Sequence, residues 1–241
     1  AITPDVLTGE IFTPGREGTL QTDVLAGSRR FGFMPYPISS YKELHQSLQA
    51  EHPVLTLLNL SLPIYPRWHY AVVYGYEDGN YLLRSGQKKE EKFSEFTMDN
   101  LWQRSDYWGV VLLSPSQAPP SFATADKWLN TALGMERANA NDALQAYSSG
   151  LTRWPEDARF AFALGNSFYG QDQKQLAKNF LERAVEIDPD FADAWNNLAQ
   201  IRFELKDHAG AAQAIDRAIE LGGKRLDFYK QTQQKIQAER T

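Results

Sequence analysis

The feature that most constrains this chain is a self-similarity at a period of 34 residues in its second half. Leu164, Gly165, Ala177, Leu181, Ala184 and Pro189, advanced by that period, fall on Leu198, Ala199, Ala211, Ile215, Ala218 and Gly223, so the small and apolar classes largely recur in register. Moved back by the same step, Ala177, Leu181, Ala184 and Pro189 meet Ala143, Tyr147, Gly150 and Pro155, a first copy whose opening helix fits less well. The physical content of such a pattern is close packing. Gly or Ala lets adjacent helices approach, large residues fill the gaps between them, and Pro stops the second helix. Three copies, the first irregular, followed by a capping helix over Lys224 to Arg240 with a polar outer face, specify an all-α solenoid.

With Phe168 added, this set resembles the tetratricopeptide repeat (TPR), and the resemblance covers roughly Ala123 to Arg240. It implies that the first helix of each pair lines a concave face, which points to Asn166, Tyr169, Asn196, Gln200 and Phe203. These residues would hold an extended peptide or a helix of a partner protein through amide hydrogen bonds. The same residues also suit ordinary packing between repeats.

Composition changes at Ser114 to Ser121, SPSQAPPS, a proline-rich linker. It divides the sequence into residues 1–113, a linker over 114–122, and the repeats over 123–241. Before it, segments alternate. Thr3 to Phe12, with Thr3 as N-cap and Pro4 at the first helical position, and Thr19 to Phe31 read as helices, Phe33 to Ile38 as a strand, and Ser40 to Glu51 as a helix capped by Ser39-Ser40. Pro53 to Leu60 is a buried strand by its near-continuous apolar run, and His69 to Glu77 with Tyr81 to Ser85 forms a hairpin about Asp78-Gly79. A strand over Lys88 to Phe93, a short helix over Ser94 to Arg104 and a closing strand over Tyr107 to Leu113 complete an α+β unit with an antiparallel sheet.

The stretch RWHYAVVYGYEDGNYLLRSG, residues 67–86, places His69 at the head of a strand, behind a Pro-rich approach, LSLPIYP. Together with GTLQTDVLAGSRRFGF upstream and the closing segment from Phe96 onward, it resembles the histidine region of the bacteriocin-processing double-glycine peptidases, which are papain-like cysteine peptidases. The resemblance covers about Ile2 to Leu113. It implies His69 as general base, a cysteine at a helix N-terminus as nucleophile, and a carboxylate or amide on the next strand to orient the imidazole.

The chain departs from that pattern twice. It contains no cysteine, and it opens at Ala1, after the place where the Cys-bearing helix is expected, as a processed or truncated product would. The nucleophile is therefore expected upstream of Ala1. At the place of the orienting carboxylate stand Arg84, Ser85 and Gly86. A two-residue Asp78-Gly79 loop favours Arg84 as the residue facing His69, whereas a three-residue loop with a bulge reverses the parity and favours Ser85. Ser85 would fix the ring by a hydrogen bond, and Asn59, on the preceding strand, is another candidate partner. Leu221-Gly222-Gly223 resembles the double-glycine cleavage site of such peptidases' substrates, but at the end of a repeat helix it reads as a glycine C-cap.

A net charge of -5, from 25 basic and 30 acidic residues, gives no basic stripe for nucleic acid. No apolar run reaches membrane-spanning length, and His45, His52 and His208 show no metal-ligand spacing with acidic groups. No cofactor is expected, and periplasmic or exported localisation follows from the resemblance alone. Two readings remain: a papain-like peptidase completed by an upstream cysteine and fused to a TPR interaction domain, or a non-catalytic peptidase-like TPR adaptor.

Overall fold

The computed structural model describes residues 19–62, 64–86 and 88–238; the helix expected over Thr3 to Phe12 lies outside them. The chain divides into two compact units, Ala1–Asp142 and Ala143–Thr241.

The described part of the first unit begins with α1 (Gln21–Arg30), β1 (Met34–Ile38), α2 (Tyr41–Gln49) and β2 (Val54–Asn59). The hairpin β3 (Trp68–Glu77) and β4 (Asn80–Ser85) follows, then β5 (Lys88–Ser94), α3 (Glu95–Trp102), a 3-10 turn (Gln103–Ser105), β6 (Gly109–Leu113) and α4 (Ala125–Leu133). All six strands form one antiparallel sheet in the order β1-β6-β2-β3-β4-β5.

Local chemistry sets the element ends. Ser40 caps α2 by accepting from the Glu43 N–H, and the Glu43 carboxylate accepts in return from the Ser39 N–H at 2.9 Å. Ser94 caps α3 in the same way through the Thr97 N–H. Asp78 and Gly79 both take positive φ, 49° and 75°, and join Glu77 to Asn80 across a two-residue turn.

Because side chains alternate along a strand, Val54, Thr56 and Leu58 of β2 share one sheet face with Ala71 and Val73 of β3 and with Tyr81 and Leu83 of β4. All seven are buried. α2 covers this face with Leu44 and with His45, whose Nε2 lies 2.9 Å from the Tyr81 hydroxyl. α3 adds Met98 and Trp102, whose indole N–H donates to the Trp108 carbonyl at 2.8 Å.

The proline-rich segment is a packed connection inside this unit. Phe122 is buried edge-on against Tyr36, at 5.8 Å between ring centroids, and the Thr124 N–H donates to the Tyr36 hydroxyl. α4 then packs on β1 with Trp128 buried, and Lys127 pairs with Glu43 of α2. The division between units thus falls near residue 142, in the first turn of α5 (Ala140–Arg153), rather than at 114–122. Proline removes backbone donors and blocks regular structure, but it does not prevent side chains beside it from joining a core. The poor fit of the first repeat's opening helix has the same origin, since α4 has the β-sheet as its neighbour.

The second unit contains the rest of α5, then α6 (Ala158–Gly170), α7 (Lys174–Ile187), α8 (Ala192–Glu204), α9 (His208–Leu221) and α10 (Leu226–Ala238). The repeat positions form its core: Leu164, Leu181, Leu198 and Ile215 are buried with Ala177, Ala184, Ala199, Ala211 and Ala218. Each large side chain buried in this way contributes about 1.5–3 kcal/mol. α10 closes the stack through Tyr229 and Ile236. Gly222 and Gly223 take φ of 70° and 92°, conformations that end α9 as a glycine C-cap does.

Candidate functional site

His69 stands near the start of β3, opposite Leu58 of β2. Its Nε2 lies 2.8 Å from the Ser85 hydroxyl oxygen on β4. The two residues occupy diagonal positions on one face, since Ser85 is the direct partner of Ala71. Simple alternation from the Asp78-Gly79 turn would have brought Arg84 to this face. A bulge between Val73 and Gly75 inserts Tyr74 as an unpaired residue and reverses the parity. The turn is therefore the two-residue one, and the bulge lies within the strand. Arg84 is turned to the other face, where its guanidinium lies 5.4 Å from the centroid of the Tyr74 ring. Gly86, at φ +58°, follows Ser85, and a side chain there would begin 3.9 Å from the His69 ring.

Asn59 does not reach His69. It pairs with Trp68, one register position away and on the opposite face. Its buried side-chain oxygen accepts from the backbone N–H groups of Ser61 and Arg67, at 3.0 and 2.9 Å. The Arg104 guanidinium donates to the carbonyls of Asn59 and Ser61 at 3.2 and 2.5 Å. Together they pin the ends of the β2–β3 loop, which exposes Leu62, Ile64 and Tyr65 beside Trp68, the exposed first residue of the histidine strand. Arg104 and this apolar loop were not among the expected site residues. The available signal was the run LSLPIYP, in which prolines keep apolar residues out of a strand.

The first helices of the repeats carry a second polar constellation. The Tyr169 hydroxyl donates to the Glu204 carboxylate at 2.7 Å and accepts from the Gln200 amide at 2.9 Å. Lys174 closes the group with an ion pair to Glu204 at 3.0 Å. Burial acts to raise the Glu204 pKa, but the hydrogen bonds from Tyr169, Lys174 and Gln200 and the Lys174 charge outweigh it and hold the carboxyl below its ordinary range. One turn away, the Asn197 amide donates to the Asn166 side-chain oxygen at 2.8 Å, linking α8 to α6.

The expected partner-binding residues thus separate into two groups. Asn166, Tyr169 and Gln200 are partly exposed. Asn196 is 1% exposed, with its amide N–H on Asn197 and its side-chain oxygen without a partner among the described residues. Phe203 is 8% exposed and packs at 5.1 Å on the His208 ring. These two residues serve the interior of the stack. Asn197 and Glu204 join the accessible group instead, a result of helix rotation that repeat spacing alone does not give.

Residues 135–190 and 162–225 match the tetratricopeptide repeat family. Among curated proteins, the uncharacterized protein ycf37 of Porphyra purpurea is 43% identical over 58 residues, covering 24% of this chain and 34% of that protein. The heat-shock protein cognate co-chaperone sgt12 of Aspergillus fumigatus is 27% identical over 89 residues, covering 37% of this chain and 26% of its own. The chain spans between 21% and 42% of the length of the curated relatives it matches. Among solved structures, the Sgt2 TPR domain from Aspergillus fumigatus is 25% identical with a TM-score of 0.43, covering 52% of this chain and 85% of that one. The TPR2B domain of yeast Sti1, solved in complex with pHsp70, is 21% identical with a TM-score of 0.45, covering 48% of this chain and 97% of that one. The helical C-terminal part of the chain is a solenoid of tetratricopeptide repeats, preceded by an α+β unit with an antiparallel sheet.

Proposed function

We propose that the protein is an adaptor that holds an extended segment of a partner protein against the first helices of its repeats. The supporting observation is the pair of side-chain networks between α6 and α8, Tyr169-Gln200-Glu204, closed by Lys174 from the start of α7, and Asn166-Asn197. These groups are held in fixed geometry by one another, so a backbone laid across them meets preorganised donors and acceptors and little side-chain entropy is lost on binding. The co-chaperone sgt12 among the relatives supports the same class of function. The test is a peptide-display selection on the full chain, followed by titration of the selected peptides against wild type and an Asn166→Ala/Gln200→Ala variant. A loss of about tenfold or more in affinity is expected, corresponding to about 1.4 kcal/mol. Selected peptides that bind the variant as tightly as wild type overturn the reading.

A second reading has its own support in the His69–Ser85 contact. A ring nitrogen engaged at Nε2 by Ser85 leaves Nδ1 for a nucleophile, as an oriented general base requires. The chain has no thiol of its own, so this reading needs a cysteine supplied from a preceding segment of the reading frame. The exposed Leu62, Ile64, Tyr65 and Trp68 would then offer apolar contacts for a peptide substrate or for that segment. Expression of the full reading frame and labelling with a peptidyl electrophile separates the two readings. Labelling of one cysteine that is abolished by His69→Ala supports a peptidase; labelling indifferent to that change, or none, leaves the adaptor.

A further inference from the structure

A cleft of about 400 Å³ in the first unit belongs to neither feature. It is lined by Tyr41 and His45 of α2, Tyr81 of β4, and Glu95, Phe96 and Asp99 of α3. Helical spacing creates it. Tyr41 and His45 are four residues apart on one helix, as are Glu95 and Asp99 on the other, so each pair presents both side chains on one face. Tyr41 and Tyr81 stand 5.8 Å apart with their rings tilted by 34°, and Phe96 is among the most exposed large apolar residues of the described chain, at 79%.

The charge balance of this cleft is unusual. Two carboxylates four residues apart on a helix repel each other, and among the described residues no Lys or Arg pairs with either. They are met by neutral phenols, the Tyr76 hydroxyl donating to Glu95, the Tyr107 hydroxyl donating to Asp99 at 3.1 Å, and the Tyr41 hydroxyl beside Asp99. The Tyr41 hydroxyl is buried beside the Asp99 carboxylate, and no group among the described residues donates to its oxygen. Burial, followed by the Asp99 charge, pushes the Tyr41 phenol well above its ordinary range, so it stays neutral and keeps an oxygen lone pair to offer.

We propose that this cleft binds a primary alkylammonium group, such as a lysine side chain, with its charge between Glu95 and Asp99 and its methylenes along Tyr41, Tyr81 and Phe96. Three features select this ligand. The carboxylates exclude anions. The aromatic lining favours an organic cation with an apolar stem over a divalent metal ion, which requires a shell of oxygen ligands. The Tyr41 oxygen, to which no described group donates, accepts an N–H bond that a quaternary ammonium cannot donate. The volume lies in the lower part of the range of small-ligand sites.

The test titrates the full chain with Nα-acetyl-lysine methylamide at constant ionic strength, following Tyr and His ring resonances. The uncharged norleucine derivative and the trimethyl-lysine derivative serve as comparisons. Saturable shifts of the cleft resonances are expected with lysine, in the millimolar range suited to a single side chain, and none with norleucine. A Glu95→Gln/Asp99→Asn variant should bind about tenfold or more weakly, and the exposed Phe96→Ala change should weaken binding while leaving the circular dichroism spectrum unchanged. Equal binding of norleucine, no saturation, or indifference to the double variant overturns the site. Tighter binding of the trimethyl derivative overturns the choice of a primary ammonium.

Discussion

Ser85 Oγ stands 2.8 Å from His69 Nε2 because Tyr74 is one residue more than its strand can pair. The bulge serves the core as much as the dyad, since the same parity that turns Ser85 toward His69 also buries Tyr81 and Leu83. Deleting Tyr74 is expected to leave the Asp78-Gly79 turn and the cross-strand pairs in place, because Val73 opposite Leu83 and Gly75 opposite Leu82 then continue one regular ladder. Tyr81 and Leu83 stay in the core, and the cost is about 1 kcal/mol or less, the worth of the lost Arg84–Tyr74 contact. Urea denaturation of the deletion variant measures it; a loss above about 3 kcal/mol would mean that the kink of the bulge, and not the pairing alone, keeps those two side chains buried.

Removing only the hydroxyl isolates the orienting role. Ser85→Ala is expected to change stability by no more than about 1 kcal/mol, the net worth of one partly buried hydrogen bond. It should also release the ring. Long-range nitrogen-proton NMR spectra are expected to show one dominant neutral tautomer of His69 in wild type and a mixture in Ser85→Ala. A single tautomer in both proteins would assign the ring's orientation to some other contact.

The sequence carried the repeats most openly, because the spacing of Gly165, Ala177, Leu181 and Ala184 is itself the packing constraint: a change of class at any of them alters how closely two helices approach. The cap at Ser40 and the Asp78-Gly79 turn were legible for a similar reason, each being decided within four residues. What was hidden depends on partners distant in sequence. The docking of α4 on β1 through Trp128 and Phe122 cannot be read from a proline-rich stretch, and it moved the division between units from 114–122 to residue 142. The bulge at Tyr74 has no compositional mark, so Arg84 and Ser85 remained open alternatives. Asn59 was placed on the right strand but on the face opposite His69, and Asn196 and Phe203 on the right helix but in its interior.

Two glycines of α6 are expected to respond with opposite signs. A Cβ at Gly165 would lie 2.7 Å from Leu181 Cγ, whereas at Gly170 it would meet nothing within 4 Å. Replacing either by alanine gains up to about 1 kcal/mol of helix propensity. At Gly165 overpacking against a buried leucine costs about 1–3 kcal/mol, so the net effect is destabilising. Gly170→Ala should be neutral or stabilising. Thermal unfolding of the two variants decides the matter, and a Gly165→Ala protein as stable as wild type would show that the Leu181 side chain gives way freely.

The Glu204 network makes the stability of the repeat unit depend on acid in a defined direction. The ordinary pKa of 4.5 is lowered in the folded chain, because hydrogen bonds from Tyr169, Lys174 and Gln200 and the Lys174 charge outweigh the effect of burial. A carboxyl with a depressed folded pKa contributes stability that is fully present above its unfolded value and is lost as pH falls through the folded one. The advantage of wild type over Glu204→Gln should therefore be constant near neutrality, at about 1 kcal/mol for a charge-assisted contact that is a quarter exposed. It should decline only below pH 4.5. Tyr169→Phe removes one of the donors and is expected to move the Glu204 midpoint, followed by carboxyl-carbon NMR, back toward its ordinary value. A midpoint that stays put in that variant would assign the depression to Lys174 and Gln200, and then Tyr169 would be free to turn its hydroxyl toward a bound peptide without loss of stability.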